Sequence, residues 1–364
     1  MKTESNRIFG LDIFRAFAII LVVIGHGGFI LKSTFLEGFP YFRMIDGVDM
    51  FFVLSGFLIG GILLKELNKP EKYNSSDLIK FWKRRWFRTL PNYYLILLLN
   101  YLLVKYDIIN GNIDNFSLHF ITFTHNFTKP FYGFFWESWS LSIEEWFYIF
   151  TPILIFILHK FLTNKSAFLV SIVIMVSLPL MYRYRIYTQE IDYFWWDVTF
   201  RKTVICRLDS IGYGLFCAWI HYYYSKFWRK IKIPASILGL ALIIFITNDE
   251  SSPNTLFKQT IYFSIIPFTS MLFLPIAQSY KNGTGIISIC IQHISKISYS
   301  MYLINLALVA QIIDKNFTPN GGADSIIKYL LYWFTVILFS TLLYRYFEKP
   351  MTDLRDKNLI KHYF

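Results

Sequence analysis

Arg15 and His26 stand at the two ends of "RAFAIILVVIGH", and the ten residues between them carry no polar side chain. On a helix, eleven residues turn through about 1,100°, three turns plus about 20°, so both side chains share one face, roughly 16 Å apart along the axis. An ionisable group inside an apolar segment is expensive to place and marks function by default. A neutral imidazole there can take a proton from a hydroxyl, or briefly accept an acyl group. It can equally serve as hydrogen-bonding glue between helices. Gly25, Gly27 and Gly28 flank His26 and let a helix or a substrate come close.

Two further clusters could take part. In "SWSLSIEEWFY", Ser140 and Glu144 are four apart and share a helical face, while Glu145 points about 100° away. A carboxylate there could orient or charge a histidine. Alternatively, Ser140 or Ser142 caps a helix whose positive end favours the acids. In "KFWKRRWFR", residues 80–88, Arg85 and Arg88 are neighbours at i, i+3. Their forked guanidinium groups suit phosphates, whether of a polyanionic cofactor or of lipid headgroups. Arg207 with Asp209, and Arg345 with Glu348, read as structural ion pairs or interface anchors. The sequence has no glycine-rich phosphate loop, no zinc-spaced His/Cys set and no nucleophile elbow. No metal is expected.

The elements that must position these residues are membrane helices. Of the 364 residues, 55% are apolar, 20% aromatic and only 16% charged, against roughly 25% charged in soluble domains. Ten candidate spans lie near 9–31, 47–65, 90–104, 142–161, 166–182, 206–224, 233–247, 258–280, 295–313 and 325–347. The fold class is therefore all-α: a polytopic membrane protein of about ten helices, with residues 1–350 as a single transmembrane domain and 351–364 as a short cytoplasmic tail. If the N-terminus is cytoplasmic, two thirds of the 36 Lys and Arg fall on the cytoplasmic side, and both termini lie there. The net charge of +12 is thus explained by topology, and nucleic acid is not an expected partner. Asp12 and Arg15 interrupt the first apolar run, so it is expected to stay as a helix and not to be cleaved. Cys206, Cys217 and Cys290 form no metal-spaced pair and no even framework. Basic residue 80–88 and Pro91 are placed in the loop after the second span and near the start of the third. The long outside segments, about 105–141 and 183–205, carry "FYGFFWESWS" and "DYFWWD". These aromatics form an interfacial belt, or they stack on sugar rings beside carboxylates.

Taken in order along the chain, "LDIFRAFAIILVVIGH", "DGVDMFFVLSGFLIG", "RWFRTLPNYY", "SWSLSIEEWFYIFTPIL", "CRLDSIGYGLFCA", "ISKISYSMYLIN" and "YRYFEKP" resemble the acyltransferase-3 family of membrane O-acyltransferases. The resemblance implies transfer of an acyl group, usually acetyl from acetyl-CoA, to a hydroxyl of a surface or exported saccharide. It implies a multi-pass protein of the inner (cytoplasmic) membrane, with the lipid bilayer and proteins of glycan assembly as partners. It maps functional importance onto Arg15, His26, Arg85 and Arg88, and the serine–glutamate motif onto Ser140 and Glu144. Where the family often has histidine, this chain has Asn305, and no fused hydrolase-like domain is expected after Glu348. The expected mechanism holds the CoA phosphates on Arg85 and Arg88 with Arg15, and threads the donor arm toward His26. His26 then acts as the catalytic base or acyl carrier, Glu144 orients it, and Ser140 positions it or donates to the oxyanion. The rival readings are a transporter that uses intramembrane Arg, His and Glu for proton or substrate passage, and a scaffold whose buried charges are glue. The sequence shows no inverted repeat.

Overall fold

The computed structural model describes residues 7–31, 34, 46–71, 73–319 and 321–360. The last four residues of the expected tail lie outside them. Among the described residues eleven helices reach ten residues or more, the first ten being α1 (Phe9–Gly27), α2 (Gly47–Leu67), α3 (Ser75–Lys105), α4 (Ser138–Leu158), α5 (Asn164–Arg185), α6 (Val204–Tyr223), α7 (Lys232–Thr247), α8 (Tyr262–Met271), α9 (Gly285–Ile304) and α10 (Gly322–Leu343). A further helix, Lys349–Ile360, follows α10. No strand occurs among the described residues. Among the described residues seven helical segments are long and apolar enough to cross a membrane, and an eighth counts if Tyr193–Arg201 and α6, bent by 59°, form one span. The described region 90–104 is part of a longer, charged helix, and α7 is shorter than a full crossing.

That charged helix revises one expectation. Residues 80–88 are not loop but the first half of α3, with Pro91 in its interior. The start is set by a capping box. The Asn74 side chain accepts from Ser76 N at 2.9 Å, and the Asp77 carboxylate accepts from Asn74 N at 3.0 Å. Long unbranched side chains then carry the helix on to the proline.

The helix pairs that frame the site are α2 against α6 and α1 against α9. Where α2 crosses α6, Gly56 meets Gly214. A Cβ on Gly56 would sit 2.1 Å from the Ile211 carbonyl oxygen, and one on Gly214 would sit 2.1 Å from that of Val53. Only glycine allows this approach, the small-residue contact typical of helices packed in lipid.

The two ion-pair expectations within single motifs are also revised. Arg207 bonds Asp49 on α2, and Asp209 bonds Arg183 on α5 at 2.8 Å, with Ser264 completing that cluster. Glu348 accepts from Asn92 and Ser300, while Arg345 lies over the Tyr346 ring. Arg207 and Asp209, two apart on a helix, point away from each other, and the i, i+3 neighbours Arg345 and Glu348 part because the buried carboxylate finds its partners on other helices.

Candidate active site

Three cavities follow one another along the bundle, and Val48 lines all of them. The first encloses about 840 Å³. Arg15 of α1, Arg85 and Arg88 of α3, and Ser140 and Glu144 of α4 all face it. Helical spacing brings them together: α3 presents its two arginines one turn apart, and α4 presents Ser140 and Glu144 one turn apart. The Tyr148 hydroxyl donates to Glu144 Oε2 at 3.3 Å and lies 3.4 Å from Ser55 Oγ. Glu145, on the neighbouring face, is buried and accepts from Thr89 Oγ1 at 2.7 Å.

His26 lies beyond Val48 and lines both other cavities, of about 1,750 and 1,540 Å³. Its Nδ1 is 2.6 Å from Asn305 Oδ1. The Asn305 amide nitrogen is committed elsewhere, donating to the Met301 and Tyr302 carbonyls at 2.8 Å each. The atom facing the ring is therefore the amide oxygen, which can only accept. Nδ1 must carry the proton, and Nε2 is left as the basic nitrogen. A neutral amide thus fixes the tautomer, and the amide at the position where the family often has histidine is a direct partner of His26.

Glu144 does not hold His26. It sits with the arginines on the other side of Val48, while Arg201, Lys202 and Asp46 are among the charged groups that share the His26 cavities. The start of α4 at Glu137 and Trp139 borders a His26 cavity, but Glu144 lies about two turns further along, with the arginines, and Asn305 just past the end of α9 reaches the ring instead. Ser140 is not a helix cap either. The helix begins at Ser138, two residues earlier, and the Ser140 hydroxyl donates to Tyr302 Oη at 2.6 Å. Tyr302 in turn donates to the Glu137 carbonyl at 3.0 Å.

Asn305 opens a π-helical turn, Asn305–Ala310, a distortion frequent at functional sites. The Glu137 carboxylate, 1% exposed, accepts from Ala307 N at 2.8 Å and so ties this turn to the start of α4. Burial pushes the Glu137 carboxyl up to about 7, against the lowering effect of the Ala307 N–H. Between the ordinary 4.5 and about 7, the unfolded chain releases this proton while the folded one keeps it. Stability therefore falls as pH rises through that window, and the full cost is present above it. Glu137→Gln keeps an oxygen for Ala307 N and has no proton to lose. In detergent, its melting temperature is expected to drop less than that of the wild type between about pH 5 and about pH 7.5. An equal drop in both proteins would remove the assignment.

The aromatic segments at this end do more than form a belt. Trp136, Trp139 and Phe194 line one histidine-side cavity, and Tyr193 and Trp196 line the other. The rings of Trp136 and Phe194 lie 6.3 Å apart, so the two segments meet. Arg201 sits 5.2 Å from the Trp139 ring and is paired to Asp46 and Asp197. Sequence reading missed Glu137, Tyr302 and Arg201 as site residues. Each lies near a segment it singled out, but none shows a periodicity that would announce a role.

Comparison of the chain with known protein families gives a match over nearly its whole length. The model described as an acyltransferase domain covers residues 8–345, and the chain belongs to the acyltransferase-3 family. It is 28% identical over 373 residues to the O-acetyltransferase OatA of Staphylococcus aureus (strain NCTC 8325 / PS 47), an alignment that covers 94% of this chain and 57% of that protein. A Staphylococcus aureus (strain COL) protein, SACOL0978, whose O-acetyltransferase designation is provisional, is 30% identical over 383 residues, with 94% and 56% coverage. The chain thus spans somewhat over half the length of these relatives. No solved structure matches it.

Proposed function

We propose that this protein moves an acetyl or similar acyl group from a coenzyme A thioester to a hydroxyl of a surface or exported saccharide, across the cytoplasmic membrane. The observation that carries this reading is the placement of Arg15, Arg85 and Arg88 in one cavity and His26 in the next, with Val48 in the wall of both. The arginine end is cytoplasmic in this reading, as the distribution of Lys and Arg favours. Both termini then lie inside, and residues 351–364 form a cytoplasmic tail. Arg85 and Arg88, with Arg15, hold donor phosphates through charge-assisted bonds. The donor arm passes Val48 and brings its thioester to His26.

The saccharide enters among Trp136, Trp139 and Phe194, whose faces suit its C–H surfaces. His26 Nε2 takes the proton of the acceptor hydroxyl as its oxygen attacks the thioester carbonyl carbon. The C–S bond breaks, and the departing thiolate receives that proton from the imidazolium. Asn305 is the positioning residue for His26. Ser140 acts through Tyr302, and Glu144 serves the donor cavity.

Purified protein in liposomes, given acetyl-CoA labelled in the acetyl group and a saccharide acceptor, is expected to form an alkali-labile labelled ester. Absence of ester, with accumulation of a solute inside the liposomes, would point instead to transport.

A further inference from the structure

We propose that a separate small cavity at the far end of α2 binds the nucleotide end of the donor, an adenosine 3′,5′-diphosphate group. This rests on the reading that a coenzyme A thioester is the donor. The cavity, about 580 Å³, lies between the last turns of α2 and the first turns of α3. Arg85 lines it and also lines the neighbouring arginine cavity, so one guanidinium stands at the junction of the two.

Charge favours an anion here. Lys80, Arg84 and Arg85 face the space, together with the acids Glu66 and Asp77. Three cations of α3 together with Lys69 outnumber these two acids. Lys69 Nζ is 2.7 Å from Asp77 and 3.6 Å from Glu66, and Asp77 also accepts from Asn74 N. The cationic excess therefore falls on the α3 side. Lys and Arg a turn or so apart on one helix are the side chains that grip phosphate groups.

The remaining wall suits a heterocycle. Ile62, Leu63 and Phe81 give it an apolar surface. Tyr73 is only 5% exposed, and its buried hydroxyl has no hydrogen-bond partner among the described residues. A buried hydroxyl without a partner is uncommon and calls for an explanation, and a ligand that supplies the bond is one.

Register along α2 links the compartments. Ile62, Leu63 and Glu66 line this cavity, Ser55, Leu58 and Ile59 the arginine cavity, and Val48 the histidine cavities as well. From Ile62 to Val48 is fourteen residues, about 21 Å of helix. A ligand that fills the series has a nucleotide and phosphates at one end and a long thin arm at the other.

The test uses full-length protein, with three donors or probes. The double variant Lys80→Ala/Arg84→Ala, at exposed positions, is expected to raise KM for acetyl-CoA at least about tenfold. Its KM for acetyl-pantetheine, which lacks the nucleotide, and its kcat with either donor should stay at wild-type values. Tyr73→Phe, which keeps the ring, should shift KM in the same selective way. Calorimetry with adenosine 3′,5′-diphosphate should show binding to wild type that the double variant weakens in parallel. Equal KM shifts for both donors, or no binding of the diphosphate by a protein that still transfers acetyl from acetyl-CoA, would overturn the nucleotide site and leave the proposed reaction standing. Diphosphate binding in a protein that transfers acetyl from neither donor would overturn the reaction and keep the site.

Discussion

Replacing His26 by alanine is expected to lower ester formation by about 10³-fold, within the range general acid–base groups supply. KM for the donor should stay within about twofold, because the cationic groups proposed to hold its phosphates lie in another cavity. The expectation follows from position. His26 is the ring whose Nδ1 is held by an amide oxygen, and it lines both aromatic, polar cavities. The change should not unfold the bundle, since His26 is half-buried at the end of α1 and borders open space, and a Cβ on neighbouring Gly25 would meet nothing within 4 Å. His26→Gln is the companion variant. Its amide N–H can still donate to Asn305, but it cannot take a proton, so it should be as inactive as alanine while melting like the wild type. If His26→Gln kept more than about a tenth of the activity, Nε2 would not be the base and the ring would be only glue.

Parts of this site are legible in the sequence because helical geometry is local. The eleven-residue spacing of Arg15 and His26, the i, i+3 pair Arg85 and Arg88, and the i, i+4 pair Ser140 and Glu144 each predict a shared face. The structure brings five of these six into one cavity and sets His26 in the next. Local spacing says nothing of which helix stands opposite. That is why Glu144 was expected to orient His26, and why the true partner, Asn305, lies 279 residues away. The same limit explains Arg207 and Asp209, which read as a pair but are bonded to α2 and α5. Hydropathy found the helical regions and missed the start of α3, because a charged, capped amphipathic turn carries no apolar signal. Glu137 was invisible for a further reason. It sits at a loop's end among aromatics, and the π-helical turn opposite, far along the chain, donates an N–H to its carboxylate.

Asn305→Leu is expected to lower kcat by about 10²-fold and to leave donor KM unchanged. Leucine keeps the branching and heavy-atom count of the amide but accepts no hydrogen bond, so the Nδ1–H of His26 loses its partner, at a cost of about 1–3 kcal/mol if it stays buried. The ring can escape that cost by moving its proton to Nε2, and the nitrogen that should act as base is then blocked. In a catalytic triad, a wrong tautomer costs about 10⁴-fold, but there the orienting group is also a charge. An amide lends no charge to the imidazolium, so less is lost here. Asn305→His, which installs the residue type the family often carries, offers a ring nitrogen as acceptor and should recover activity to within about tenfold of wild type. A purely structural role for Asn305 would make leucine the milder change, since the position is fully buried and leucine adds less bulk than an imidazole of different shape. Steady-state kinetics of the two variants, with melting temperatures taken alongside, separates the cases: histidine active above leucine supports tautomer control, and leucine active above histidine rules it out.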